Sequence, residues 1–88
     1  MTKSYIKSYI RFHCGQYGKG LAWANHFSSL TNETTSRIEV TPYKEKRGRM
    51  TYKVVTIDYF GPDVKTTTER KGVSFSTAVN LFHEWDKN

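Results

Sequence analysis

The stretch YKEKRGRMTYKVVTIDYFG, residues 43–61, decides how this chain is read. Its second half alternates: Val55, Ile57 and Tyr59 share one parity, and Tyr52, Val54, Thr56 and Asp58 share the other. A period of two is the signature of a strand, here residues 50–60. Residues 44–49 form the turn before it, and Gly48 is free to take a positive φ. Five cations crowd that turn, Lys44, Lys46, Arg47, Arg49 and Lys53, against the single acid Glu45. Residues 37–43 supply the preceding arm, with Ile38 and Val40 on its apolar face. Pro42 lacks an amide donor, so this arm is expected at a sheet edge or with a bulge at that point. Together the two arms read as a basic β-hairpin.

Working outward, Gly61-Pro62-Asp63 is a turn. Residues 64–70 are rich in threonine and read as a further strand. Lys71-Gly72 reads as a turn. Ser76 is placed to cap a last helix over residues 77–86. Ala78, Leu81, Phe82 and Trp85 give that helix an apolar face at i, i+3, i+4, i+7.

Toward the N-terminus, residues 5–14 alternate, with Ile6, Ser8, Ile10, Phe12 and Cys14 on one face and Tyr5, Lys7, Tyr9, Arg11 and His13 on the other. That pattern predicts a strand, broken by Gly15, Gly18 and Gly20. Trp23, Phe27 and Leu30 fall at helical spacing, with Leu21 and Ala24 beside them, and predict a short helix over residues 21–30. Residues 32–36 are polar and read as a loop. No internal repeat and no linker stands out.

The expected order is β-α-β-β-β-α. This is an α+β domain, with a three- to four-stranded antiparallel sheet and a C-terminal helix packed on one face. On this reading Val55, Ile57 and Tyr59 face the helix, and Tyr52, Val54 and Thr56 face outward.

Size and composition narrow the class. Eighty-eight residues make one domain. Hydrophobic residues are 36% of the chain and aromatics 15%, and large rings let few residues build a small core. Fourteen Lys and Arg against eight Asp and Glu give a net charge of +6. A small domain of that sign favours polyanions, either nucleic acid or an acidic protein surface. The single cysteine, Cys14, allows no internal disulfide and fits a reducing compartment. No apolar run approaches the ~18 residues of a membrane span, and MTKSYIKSYI lacks the apolar core of a signal peptide. A cytoplasmic protein without a membrane partner is expected.

The residues do not favour an enzyme. On a strand, adjacent His13 and Cys14 point to opposite faces and form no close pair. One Cys and three scattered His give no metal-ligand spacing. The glycines of GQYGKG, residues 15–20, lack the Gly-Lys-Ser/Thr ending of a phosphate loop. No cofactor is expected.

The C-terminal half also carries a likeness. A basic KRGR hairpin, residues 46–49, leads into the aromatic-bearing strand TYKVVTIDYFG. A glycine turn and a Thr-rich strand follow, and then KGVSFSTA, residues 71–78, opens the helix. Residues 37–86 resemble the AP2-like DNA-binding modules at the N-terminus of phage-type tyrosine recombinases. Residues 1–36 have no counterpart there. The resemblance implies a three-stranded sheet laid in the DNA major groove, with exposed side chains touching bases and phosphates.

The functional expectation is a small non-enzymatic nucleic-acid-binding protein, with duplex DNA favoured. Lys44, Lys46, Arg47, Arg49 and Lys53 would hold phosphates by displacing counterions. Tyr43 and Tyr52 would add contacts at the sheet face, and Lys65, Arg70 and Lys71 would extend the patch. The alternation of Tyr5, Lys7, Tyr9, Arg11 and His13 would suit stacking on single strands. The alternative is a phage-encoded inhibitor, such as an anti-defence protein, that docks on a host complex through its basic and aromatic face. A free edge strand would also permit a homodimer.

Overall fold

A computed structural model describes residues 1–15 and 20–87. Six elements follow in order: α1 (Lys3–Cys14), β1 (Ala22–Phe27), β2 (Thr34–Lys46), β3 (Arg49–Tyr59), β4 (Lys65–Val73) and α2 (Phe75–Asp86). The strands form one antiparallel sheet in the order β1-β2-β3-β4. The α+β class, the antiparallel sheet and the C-terminal helix on one of its faces are as the sequence led us to expect. The first two elements are exchanged. Residues 5–14 are helical rather than extended, and most of 21–30 is strand β1 rather than helix.

The reason for the exchange lies in a short repeat, against the expectation of none: KSYI occurs twice in succession, at residues 3–6 and 7–10. A spacing of four satisfies both a strand and a helix. Ile6, Ile10 and Cys14 are buried at that spacing, while Ser8 and Phe12, which a strand would also have buried, are exposed. Phe12 keeps 81% of its surface in solvent. Thr2 caps the helix, its hydroxyl accepting from the Tyr5 amide at 3.1 Å. The glycine break expected at Gly15, Gly18 and Gly20 falls partly outside the described residues. At Gly20 the chain returns against the end of α1. A Cβ there would lie 2.0 Å from the His13 carbonyl oxygen, and φ is +128°, so only glycine fits.

Both helices cover the same face of the sheet. Ile6, Ile10 and Cys14 of α1 meet Ala22, Ile38, Val40 and Val54 of the sheet and Ala78, Val79, Phe82 and Trp85 of α2. The helix α2 begins earlier than expected. Ser74, not Ser76, is the cap, accepting from the Thr77 amide at 3.1 Å. Lys71 and Gly72 lie within β4 rather than in a turn.

Strand β3 presents the opposite parity to the one expected. Val54 is core, with Tyr52 packed against it, whereas Val55, Ile57 and Tyr59 lie on the open face. A bulge causes this. At the turn Lys46 pairs with Arg49 and Glu45 with Met50, but past the bulge Pro42 pairs with Tyr52 and Val40 with Val54. One extra residue shifts the register and carries every later side chain of β3 to the other face. Without it, Val40 would have stood opposite Val55. Pro42 therefore marks the bulge, as its missing amide suggested. Because β1 starts opposite Val40 and pairs no further along β2, β2 is also an edge strand by the time it reaches Pro42.

Candidate nucleic-acid interface

The ribbon formed by β2 and β3 outruns its neighbours. The β1 pairing stops at Val40 and the β4 pairing at Tyr52. Residues 43–51 therefore project as a two-stranded ribbon, and the molecule measures 45 × 25 × 19 Å. Arg47 (φ 54°) and Gly48 (φ 77°) make its turn, both left-handed. Two positive φ values in a two-residue loop define the type I′ turn, whose twist matches that of a hairpin. At the neck, the Thr51 hydroxyl accepts from the Lys44 amide at 3.2 Å and donates to the Lys44 carbonyl at 2.7 Å. That side chain replaces the ladder rungs lost at the bulge.

The ribbon concentrates unneutralised charge. Among the described residues, no ion pair engages Lys44, Lys46, Arg47, Arg49 or Lys53. The Lys44 ammonium lies 5.2 Å from the Tyr43 ring centroid, and Tyr43 is 38% exposed. Elsewhere the cations are dispersed: among the described residues Lys3, Lys7, Lys65 and Arg70 also stand outside any ion pair, but others are matched. Arg37 bonds Glu39 at 2.9 Å and sits over the Trp23 ring at 4.4 Å, and Lys71 meets Glu69 at 3.3 Å. Val55 stands between Glu39 and Glu69 across the open face, so that face is mixed in charge.

The expected site residues divide accordingly. Tyr43, Lys44, Lys46, Arg47 and Arg49 share the ribbon, and Lys53 lies just behind it. Lys65 pairs with Tyr59 at the other end of β3, ten residues from Arg49 or about 33 Å along an extended strand. Arg70 stands opposite Val54, midway, and Lys71 is held by Glu69. Tyr52 is turned toward the helices, 5.8 Å from Phe75 between ring centroids. Its phenol is pushed above the ordinary range, first by burial and then by neighbouring Cys14, with Arg11 opposing. The expected strand face of Tyr5, Lys7, Tyr9, Arg11 and His13 does not form: on helix α1, Tyr5, Tyr9 and His13 contact one another along one side, apart from Lys7 and Arg11, and Tyr9 packs edge-on to Phe82.

Between the ribbon and the start of α2 lies an open cleft of about 860 Å³. Lys46, Arg47 and Arg49 line it together with Met50, Tyr52, Phe75 and Ser76. Met50, Phe75 and Ser76 were not among the expected site residues. Extending the apolar helical pattern back from Ala78 and Phe82 to Phe75 would have moved the cap to Ser74 and pointed to the helix side of this cleft.

At the far end of the sheet, a cavity of about 500 Å³ is lined by His26, Ser36, Asp58 and Trp85 among others. Several of these bond to one another, Trp85 to Ser36 at 2.7 Å and Ser36 to Asp58 at 3.0 Å, which makes that end a structural joint. Among the described residues, no three His, Cys, Asp or Glu side chains gather closely enough to hold a metal ion, and no helix is long and apolar enough to cross a membrane. No protein-family model, curated protein or solved structure matches this chain.

Proposed function

We propose that this chain is a small, non-catalytic nucleic-acid-binding protein that grips duplex DNA with its β2–β3 ribbon. The observation that carries this reading is the set of five cations at the ribbon, none of them in an ion pair among the described residues. A two-stranded ribbon fits a major groove about 12 Å wide. Lys44, Lys46, Arg47, Arg49 and Lys53 hold phosphates there, and Tyr43 adds a contact beside them. Residues 37–86 act as an AP2-like module whose docking element is the ribbon end rather than the mixed-charge open face. The protein works in the cytoplasm, where Cys14 stays a thiol.

Binding to labelled random duplex DNA and to single-stranded RNA across a salt series tests this. Each phosphate contact lowers log K by about 0.9 per decade of salt. The pair Arg47→Ala and Arg49→Ala should weaken binding to every sequence and flatten that slope by about 2. Unchanged affinity in the double variant would sink the assignment.

A second reading draws on different residues. Phe12, Phe27 and Leu30 are 81%, 58% and 94% exposed. Exposed apolar groups suit a phage-encoded inhibitor docked on a host complex, with the ribbon meeting an acidic surface. Partners retained from host lysate after nuclease treatment would favour this reading, and light scattering would reveal a homodimer.

A further inference from the structure

The geometry points to the cleft beside the ribbon as the seat of an unpaired nucleobase, in a strand whose phosphates the ribbon already holds. This rests on the nucleic-acid reading and goes beyond it, because it names the feature of the ligand that is preferred.

The cleft offers more than an anion site. Its cations, Lys46, Arg47 and Arg49, all come from the ribbon side, and the rest of its lining combines Met50, Tyr52 and Phe75 with the hydroxyls of Thr51, Ser74 and Ser76. The start of α2 is already capped by Ser74, whose hydroxyl accepts from the Thr77 amide and donates to the Thr77 hydroxyl at 2.9 Å. Phosphate alone would gain nothing from apolar walls. A planar, weakly polar ring attached to a phosphate would use both parts, and at about 860 Å³ the space falls within the range of small-ligand sites. The walls are also preorganised. The Arg11 guanidinium lies 4.8 Å from the Phe75 ring centroid, and Tyr52 packs against the same ring, so binding would order little. A base paired within a duplex cannot leave its stack without cost, whereas a looped-out or terminal base is free to enter.

Three probes test this: a blunt duplex, the same duplex with one looped-out base, and the same duplex with an abasic residue at the bulge. The base-bearing bulge should bind about five- to a hundredfold more tightly than the abasic one, the range a single seated base provides. Met50→Ser should lose that preference. Equal, salt-sensitive binding of all three probes would overturn the cleft proposal and leave the ribbon reading standing, as would a preference that Met50→Ser retains. Binding of none of them at low salt would overturn both.

Discussion

Trp85, near the end of α2, donates its indole N–H to the Ser36 hydroxyl on β2 at 2.7 Å, across 49 positions of sequence. Ser36 in turn donates to Asp58 on β3 at 3.0 Å. His26 on β1 stacks on the Trp85 ring, 3.9 Å between centroids, and its Nε2 lies 3.2 Å from the Trp85 carbonyl. One side chain thus ties the helix to three strands. Trp85→Phe keeps a ring but removes the donor. It should destabilise the fold by about 1–2 kcal/mol, measurable by urea titration. Duplex binding should be unaffected, since this joint sits at the end of β3 opposite the ribbon.

Arg47 takes φ 54°, a conformation costly to most side chains and tolerated by asparagine. Retaining arginine there sets a phosphate contact against local strain. Arg47→Asn should raise stability by about 1 kcal/mol, or roughly 4–8 °C in Tm for a domain of this size, and should weaken DNA binding. A calorimetric scan and a binding isotherm on one preparation would check both signs.

Thr51→Val removes both hydrogen bonds at the neck of the ribbon. The loss in global stability should be about 1 kcal/mol or less, since the site is exposed. Amide exchange over residues 43–51 should quicken while that of the sheet core stays slow.

Gly20→Ala sets a methyl group against the His13 carbonyl in a left-handed backbone. The end of α1 would have to move, at an expected cost of about 3 kcal/mol or more. Circular dichroism during a thermal melt would show a large drop in midpoint, or no folded baseline.

Cys14 is 3% exposed, and burial pushes its thiol up. Tyr52 is pushed up as well, chiefly by burial. Both groups hold their protons more tightly folded than unfolded. Their contribution is therefore complete below the ordinary values of 9.0 and 10.0, and is lost as pH rises through the higher folded ones. Stability should fall on the alkaline side, and Cys14→Val should flatten the first part of that fall. Melting temperatures from neutral to alkaline pH would read it.

Much of the C-terminal half of the fold was legible because its signals were local, Pro42 for a bulge, Gly48 for the turn over 44–49, and Ala78, Phe82 and Trp85 for a helix face, whereas Lys71-Gly72 and Ser76 misled. The parity of β3 was not legible, although its cause was in view. Both faces of that strand carry apolar residues, so the choice rests on one unpaired residue near Pro42. The first two elements misled for a different reason. KSYI-KSYI fits two periods at once, and the core side of β1 is made of Ala22 and Ala24, whose small side chains give a weak signal beside Trp23 and Phe27. The ribbon cations were placed on the hairpin from sequence, while the cleft was not, because Met50 and Phe75 come to line one cleft only through the return of β4.

The β4 strand forms one outer margin of the sheet, and residues 65–72 are exposed along their whole length. It carries Lys65, Glu69, Arg70 and Lys71, so another strand added there would have to lie beside several charges. Concentrated solutions of this protein should resist the stacking of sheets into fibrils from that side. Any strand that does join would find its opening at β1, six residues long and flanked by aromatic rings.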